Sequence, residues 1–353
     1  MLRRTAHARS TCTRIMATLS TVKHAMEMPQ EVVCALREAT EKARTFFPSQ
    51  CSNARRGAPK LHSNESRSHE SVNLLAEHLY REWYSHTSRR KEDHLSLERT
   101  SSWVEILRAS HAGSYRWEVG WRVASVSPEG RIVAKRGLMN RLLSPLDYYS
   151  VGRPGLLPTV GEEVGAVTRR DSLAASPGYW LTSSPAWKSE QRQLLRLYWN
   201  VTAAGTPELV RELTGLIPET EPYCLKAPCL PAGYERTDAV VLYIFADSYP
   251  RFVPVIREVY QRVASHLCPE VPKLTKRLAD GLGLAESPAD EKESFGTHRC
   301  RLVAEGLCHA AAKSVLNDSS VIQCVADVFK QAGLRLSHPY LGSLQGPDYE
   351  RIV

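Results

Sequence analysis

The feature that most constrains this chain is an unbroken apolar run from Ala239 to Ala246, read Ala-Val-Val-Leu-Tyr-Ile-Phe-Ala. It is too short for a buried helix and rich in Val, Ile, Tyr and Phe. It is therefore predicted as a strand buried on both faces at the centre of a sheet. The sequence before it is polar and tightly punctuated: Lys226 between Leu225 and Ala227, a Pro/Gly-rich loop, then Tyr234, Arg236 and Asp238. Polar groups at the mouth of a buried strand are held rigidly and can be desolvated, which suits a catalytic site. The same residues describe equally well a solvated lysine beside a surface Arg236–Asp238 ion pair.

The run is far short of a bilayer span, so no membrane crossing is expected. With 353 residues, 42% of them hydrophobic, the chain can bury one large core or two smaller ones. Its net charge of +8 is unevenly placed, because residues 1–60 hold 11 Lys/Arg and only 4 Asp/Glu. The remainder is nearly neutral, which gives no support for a nucleic-acid groove; neither nucleic acid nor a membrane is an expected partner. Nine cysteines occur without a C-x-x-C pair. An odd, scattered set reads as packed thiols in a reducing compartment, with no metal site expected.

Residues 1–26 contain Arg3, Arg4, Arg9, Arg14 and Lys23 and no acid. Such a start fits a transit or export signal, a disordered tail, or translation beginning at Met16, Met26 or Met28. Helical spacing is present at 31–46, and 48–68 reads as a linker, so 1–68 is expected as a tail with a possible short helix. A helix plus antiparallel β portion is expected over 69–190. Val72, Leu75, Leu79 and Trp83 mark an amphipathic helix, 86–96 a charged loop and Trp103–Leu107 a short helix. The run Tyr115, Trp117, Val119, Trp121, Val123 alternates as a strand, turning at Ser127–Gly130 into Ile132–Ala134. Its aromatics are read as a buried sheet face rather than a ligand platform. Short β-like runs follow at 163–170 and 179–182.

The third portion, 191–353, is expected to place helices on the central strand. Strand-like 193–201 precedes a helix at 206–217, with Thr206 predicted as its cap and Pro207 at its first position. Pro254 is predicted to open a helix over 254–267. The Gly-rich stretch 272–286 does not read as a helix, whereas two more helices follow His298 and end at Gly333. The fold class is α+β, with an N-terminal antiparallel β portion and C-terminal helices packed on a central strand or sheet.

The cations of this portion fall in three segments. They are Lys226 with Arg236, then Lys273, Lys276 and Arg277, then His298, Arg299 and Arg301 at a predicted helix start. Arginines beside a helix N-terminus suit a phosphate dianion, and His298 could supply a proton. Walker, G-x-S-x-G, H-E-x-x-H and kinase motifs are absent from the sequence.

The motifs K-x-P, Y-x-R-x-D-x-x-V-L-Y, L-T-K-x-L-A-x-G-L-G-L-A-E and S-F-G-x-H-R-C-R-L-V-A-E-G-L follow in that order. They resemble the HopA-type effector family of plant-pathogenic bacteria, densely from Tyr198 to Leu307 and more loosely over 71–197. Relatives of this type beside lanthipeptide and thioamitide gene clusters are implicated as phosphoserine/phosphothreonine lyases. The resemblance thus implies β-elimination of phosphate from a precursor peptide with a leader, leaving a dehydroamino acid. A kinase and a cyclase would act in the same pathway, no cofactor would be needed, and the location would be cytoplasmic.

It further implies Lys226 as base, His298 as acid and Tyr234 as an orienting or protonating group. Arg236, Arg299, Arg301 and Lys276 would hold phosphate. The alternative reading is a secreted effector that binds a host, acidic or phosphorylated partner without catalysis.

Overall fold

Alternating apolar residues and tight turns build two antiparallel sheets, around which the helices are arranged. The computed structural model describes residues 28–53, 64–86, 100–113, 116–168, 171–188, 192–290, 293–313, 317–344 and 346–352. Helices α1 (Gln30–Asn53), α2 (Asn64–Leu79) and α3 (Thr100–Ser110) come first, and α2 continues into a wider turn over Tyr80–Tyr84. The expected loop at 86–96 lies, from residue 87 on, outside the described residues.

The first sheet comprises β1 (Arg116–Val126), β2 (Ile132–Arg136), β3 (Met139–Leu143), β4 (Tyr148–Ser150) and β5 (Glu163–Thr168), in the order β3-β2-β1-β5-β4. Alternation in β1 places Trp121 and Val123 in a small core with Ile132, Ala134, Leu143, Tyr148, Val164 and Ala166. Trp121 is buried as expected, but Trp117 is half-exposed and meets the Tyr149 ring edge-on at 5.1 Å.

The second sheet holds β6 (Asp171–Ser172), β7 (Tyr179–Ser183), β8 (Leu194–Trp199), β9 (Tyr223–Pro228), β10 (Val240–Phe245), β11 (Lys276–Ala279) and β12 (Leu282–Glu286). Its order is β11-β12-β8-β10-β9-β7-β6, so the unbroken apolar run, β10, lies at the centre. Helices α4 (Thr206–Leu216), α5 (Tyr249–Val263), α6 (Phe295–Ala312) and α7 (Asp318–Gln331) complete the α+β fold. Leu209, Val210 and Leu213 of α4 and Phe252, Ile256 and Val259 of α5 share one core with Leu225, Leu242, Ile244, Leu195 and Leu197.

Several local expectations are revised. The helix expected from the spacing at 31–46 is present as α1, but it is longer than a short helix in a tail, and its Val32, Ala35, Leu36, Ala39 and Ala43 are buried in the main core. The linker expected at 48–68 is helical at both ends, through Asn53 and again from Asn64. The change from one sheet to the other falls between Thr168 and Asp171, well before residue 190.

Thr206 is the first helical residue of α4, and its hydroxyl donates to the Thr202 carbonyl at 2.9 Å instead of accepting an amide. Helix α5 starts at Tyr249, with Pro250 in its first turn and Pro254 inside. Burial of Tyr249, Phe252 and Val253 ahead of Pro254 offsets the one backbone bond that Pro254 cannot make. Within segment 272–286, residues 276–286 form the β11–β12 hairpin. Helix α7 stops as expected, with Gly333 at φ 71°.

Helices α6 and α7 approach so closely at Gly306 that a Cβ there would lie 2.6 Å from Val325 Cα. Backbone cannot yield as a flexible side chain does. Gly306→Ala is therefore expected to destabilise the fold by about 1–3 kcal/mol, read as a lowered midpoint in urea. An unchanged midpoint would contradict this packing.

Candidate functional site

Strand register decides which side chains share a face. Directly paired residues project to the same side, so Lys226 lies beside Val241 and Leu181, while Cys224 lies beside Tyr243 and Ser183. Arg196 pairs with Tyr243 and Tyr198 with Val241 across β8. One face of the seven-stranded sheet thus carries Lys226, Arg196, Tyr179, Tyr198, Tyr243 and Cys224. The alternate residues Leu225, Ala227, Leu242, Ile244, Leu195 and Leu197 are fully buried in the core.

Lys226 is only partly buried, and its Nζ sits 3.9 Å from the centre of the Tyr179 ring. Among the described residues no carboxylate pairs with it. Burial lowers its pKa below the ordinary lysine value, and Arg196 and Arg236 push in the same direction, against weaker opposition from Asp238 and Cys224. A larger fraction of Lys226 is therefore neutral near physiological pH than for a solvated lysine. Arg196 donates from Nε to Ser287 Oγ at 2.9 Å and lies 5.5 Å from the Tyr243 ring. It too has no carboxylate partner among the described residues.

Arg236 comes from the loop between β9 and β10. Its Nε and Nη2 grip the two Asp238 oxygens at 2.7 and 2.8 Å, and Nη2 also donates to Tyr80 Oη at 2.8 Å. Tyr80 in turn donates to Asp238 at 3.2 Å. Burial disfavours the charge on Arg236, but Asp238 overrides this and its pKa is raised. Tyr80 stacks on Tyr84, whose ring packs on Phe295 and so ties this cluster to α6. Among the described residues, three cations thus face a single carboxylate. The imbalance fits an anion, and Lys226 within it fits a base.

Lys226 and Arg236 are therefore brought together; the other predicted residues have separate partners. Tyr234 is fully buried, donates to the Pro228 carbonyl at 3.1 Å and packs edge-on against Trp103. Arg299 is fully buried between the Phe295 and Phe329 rings and donates at 2.7 Å to both the Pro339 and Leu341 carbonyls. It also reaches His298 Nδ1 at 2.6 Å, so that nitrogen acts as an acceptor and the neutral ring carries its proton on Nε2. Burial and then Arg299 lower the His298 pKa to about 4, which leaves it uncharged near neutrality. Arg301 pairs with Glu293 at 3.1 Å, and Lys276 pairs with Asp348 below the Tyr340 ring.

Sequence reasoning passed over Arg196 and Tyr80. The first interrupts Leu-Leu-Arg-Leu-Tyr-Trp and could have been noticed as a charge inside a strand; the second lay on an apparent core helix with no chemical signal. No group of His, Cys, Asp and Glu among the described residues could hold a metal ion, and no helix among them is long and apolar enough to cross a membrane.

The resemblance read from the motifs is borne out. Residues 170–341 match the model of the HopA1 effector protein family, a segment that opens where the second sheet begins. Among solved structures, the effector protein from Pseudomonas syringae pv. syringae strain 61 is similar, with a TM-score of 0.50 and 12% identity over 89% of this chain and 98% of that one. That likeness concerns the fold alone. The effector protein from Pseudomonas syringae pv. tomato strain DC3000 has a TM-score of 0.49 and 13% identity, covering 89% of this chain and all of that one. No curated protein matches the chain by sequence.

Arg299→Ala would leave two buried carbonyls without their donor. It is expected to cost about 3 kcal/mol or more in stability, measured in urea, without changing the affinity for phosphate of protein that remains folded. Lost phosphate binding at unchanged stability would instead return Arg299 to the anion site.

Proposed function

We propose that the protein is an effector-type binding protein whose Lys226 face takes a phosphorylated segment of a partner protein. The observation that carries this is the trio Lys226, Arg196 and Arg236 facing the single carboxylate of Asp238. Phosphoserine and phosphothreonine supply a dianion with several acceptor oxygens, which matches guanidinium and ammonium donors better than one carboxylate does. The HopA1 match over 170–341 supports an effector role, and with it export from the producing cell.

A second reading, phosphopeptide lyase chemistry, is favoured by one observation: the lowered pKa of Lys226, which has no acidic partner among the described residues. Neutral Nζ would take the Cα proton, and the Cα–H electron pair would become the Cα–Cβ double bond as Cβ–O breaks. The phosphate leaves with that bond's electrons and takes the proton from Lys226, departing as hydrogen phosphate, so the lysine is neutral again. The peptide keeps a dehydroalanine or dehydrobutyrine. Arg196 and Arg236 would hold the departing charge. His298, uncharged and bonded to Arg299, is poorly placed as the acid.

Calorimetry and mass spectrometry on phosphoserine and phosphothreonine peptides test both readings together. Binding should depend on the phosphate, and Arg196→Ala should weaken it about 10- to 150-fold, the worth of one charge-assisted hydrogen bond. Equal affinity for the unphosphorylated peptides would overturn the anion site. Loss of phosphoric acid that disappears in Lys226→Ala, with binding retained, would establish the lyase. Binding with unchanged peptide mass would leave the effector as a binding protein.

A further inference from the structure

Four sheet edges end in the two antiparallel sheets, and three of them are protected. The C-terminal segment covers β11, with Ile352 N donating to the Leu278 carbonyl at 3.2 Å. Strand β6 has two residues and β4 three. The remaining edge is β3, Met139–Leu143, five residues long, without proline, and paired among the described residues only with β2. A two-residue turn, Gly137–Leu138, joins the two strands, with Gly137 at φ 60°. A turn of that length makes Arg136 and Met139 a bonded pair, so the alternation directs Asn140 and Leu142 main-chain groups away from β2. Neither has a main-chain partner among the described residues.

Protein edges are ordinarily blunted by charge, proline or a bulge. This one carries a single charge in the strand, Arg141, and otherwise exposes apolar side chains: Leu138 is fully exposed, Leu142 is 69% exposed and Met139 is 55% exposed. Residues 131–146 also carry four cations, Arg131, Lys135, Arg136 and Arg141, and no acid, although Arg136 already pairs with Glu118 at 2.7 Å and Arg141 donates to the Val167 carbonyl at 2.8 Å. A second copy of the chain is a poor occupant. Bonding Asn140 and Leu142 to their counterparts in an antiparallel pair would set Arg141 directly opposite Arg141, and like charges so placed repel.

We propose that the β3 edge is a docking site for an extended, acidic segment of a partner protein, which adds to the five-stranded sheet as a sixth strand. Main-chain bonds to Asn140 and Leu142 give affinity, Leu142 on one face and Met139 on the other offer apolar contact, and the cations select acidic side chains. This surface is independent of the Lys226 face and does not require either reading of it.

The test uses the full chain and two labelled octapeptides, (Glu-Val)4 and (Lys-Val)4. The acidic peptide should bind at least about tenfold tighter by fluorescence anisotropy, and Met139→Glu with Leu142→Glu should abolish that preference. Both substituted side chains are exposed, so the thermal midpoint should be unchanged. Hydrogen exchange should slow at the Asn140 and Leu142 amides when the acidic peptide is present. Equal binding of the two peptides, or protection that spares these amides, would overturn the proposal. So would slowing of the same amides by concentration alone, which would assign the edge to a second copy.

Discussion

The Arg236–Asp238–Tyr80 bond set is the interaction on which the candidate site depends. Asp238 is nearly covered, and Arg236 meets it with two parallel bonds while sharing one donor with Tyr80. Tyr80 belongs to the turn at the end of α2, whereas Arg236 and Asp238 lie just ahead of the central strand. The same few bonds therefore anchor an N-terminal helix to the sheet and hold a guanidinium close enough to act on Lys226. Asp238 is also the only carboxylate near that lysine among the charges that shift it, which keeps the face cationic.

A second clamp fixes the far side of the domain. Arg299 on α6 holds the Pro339 and Leu341 carbonyls, while Glu286 at the end of β12 accepts from Gly342 N at 2.6 Å and from Tyr349 Oη at 2.5 Å. Both charges are buried, and each is satisfied by the C-terminal segment. Removing either partner would leave a buried charge or carbonyl unpaired, which costs more than the bond itself contributes. The basic helix start at 298–301 therefore serves the architecture: it fastens 339–342 to the helix that packs on the Tyr84 and Tyr198 rings.

The elements legible in the sequence are those whose burial is uniform. Strand β10 could be read because a central strand is apolar on both faces, and β1 because one of its faces is wet. Strand β9 was not legible: Lys226 and Pro228 interrupt its apolar pattern, and only the pairing of β9 between β10 and β7 explains both. For the site, Lys226 and Arg236 were visible as cations flanking a buried strand. Arg299 and Arg301 were equally visible, yet the first is buried and the second is paired with Glu293, and charge spacing carries no information about either. Arg196 was visible locally only as a charge inside an apolar strand; its place on the Lys226 face comes from cross-strand register, a long-range property.

The anion site depends on Lys226 titrating among cations. The direct measurement is the pH titration of its side chain by NMR, with 13C-labelled lysine and Lys226→Arg to assign the signal. The predicted midpoint lies below the ordinary lysine value of about 10.4. It should rise when inorganic phosphate binds, because an anion favours the charged amine, and rise also in Arg196→Ala, which removes a repelling cation. A midpoint at or above the ordinary value, indifferent to phosphate and to Arg196, would contradict the account.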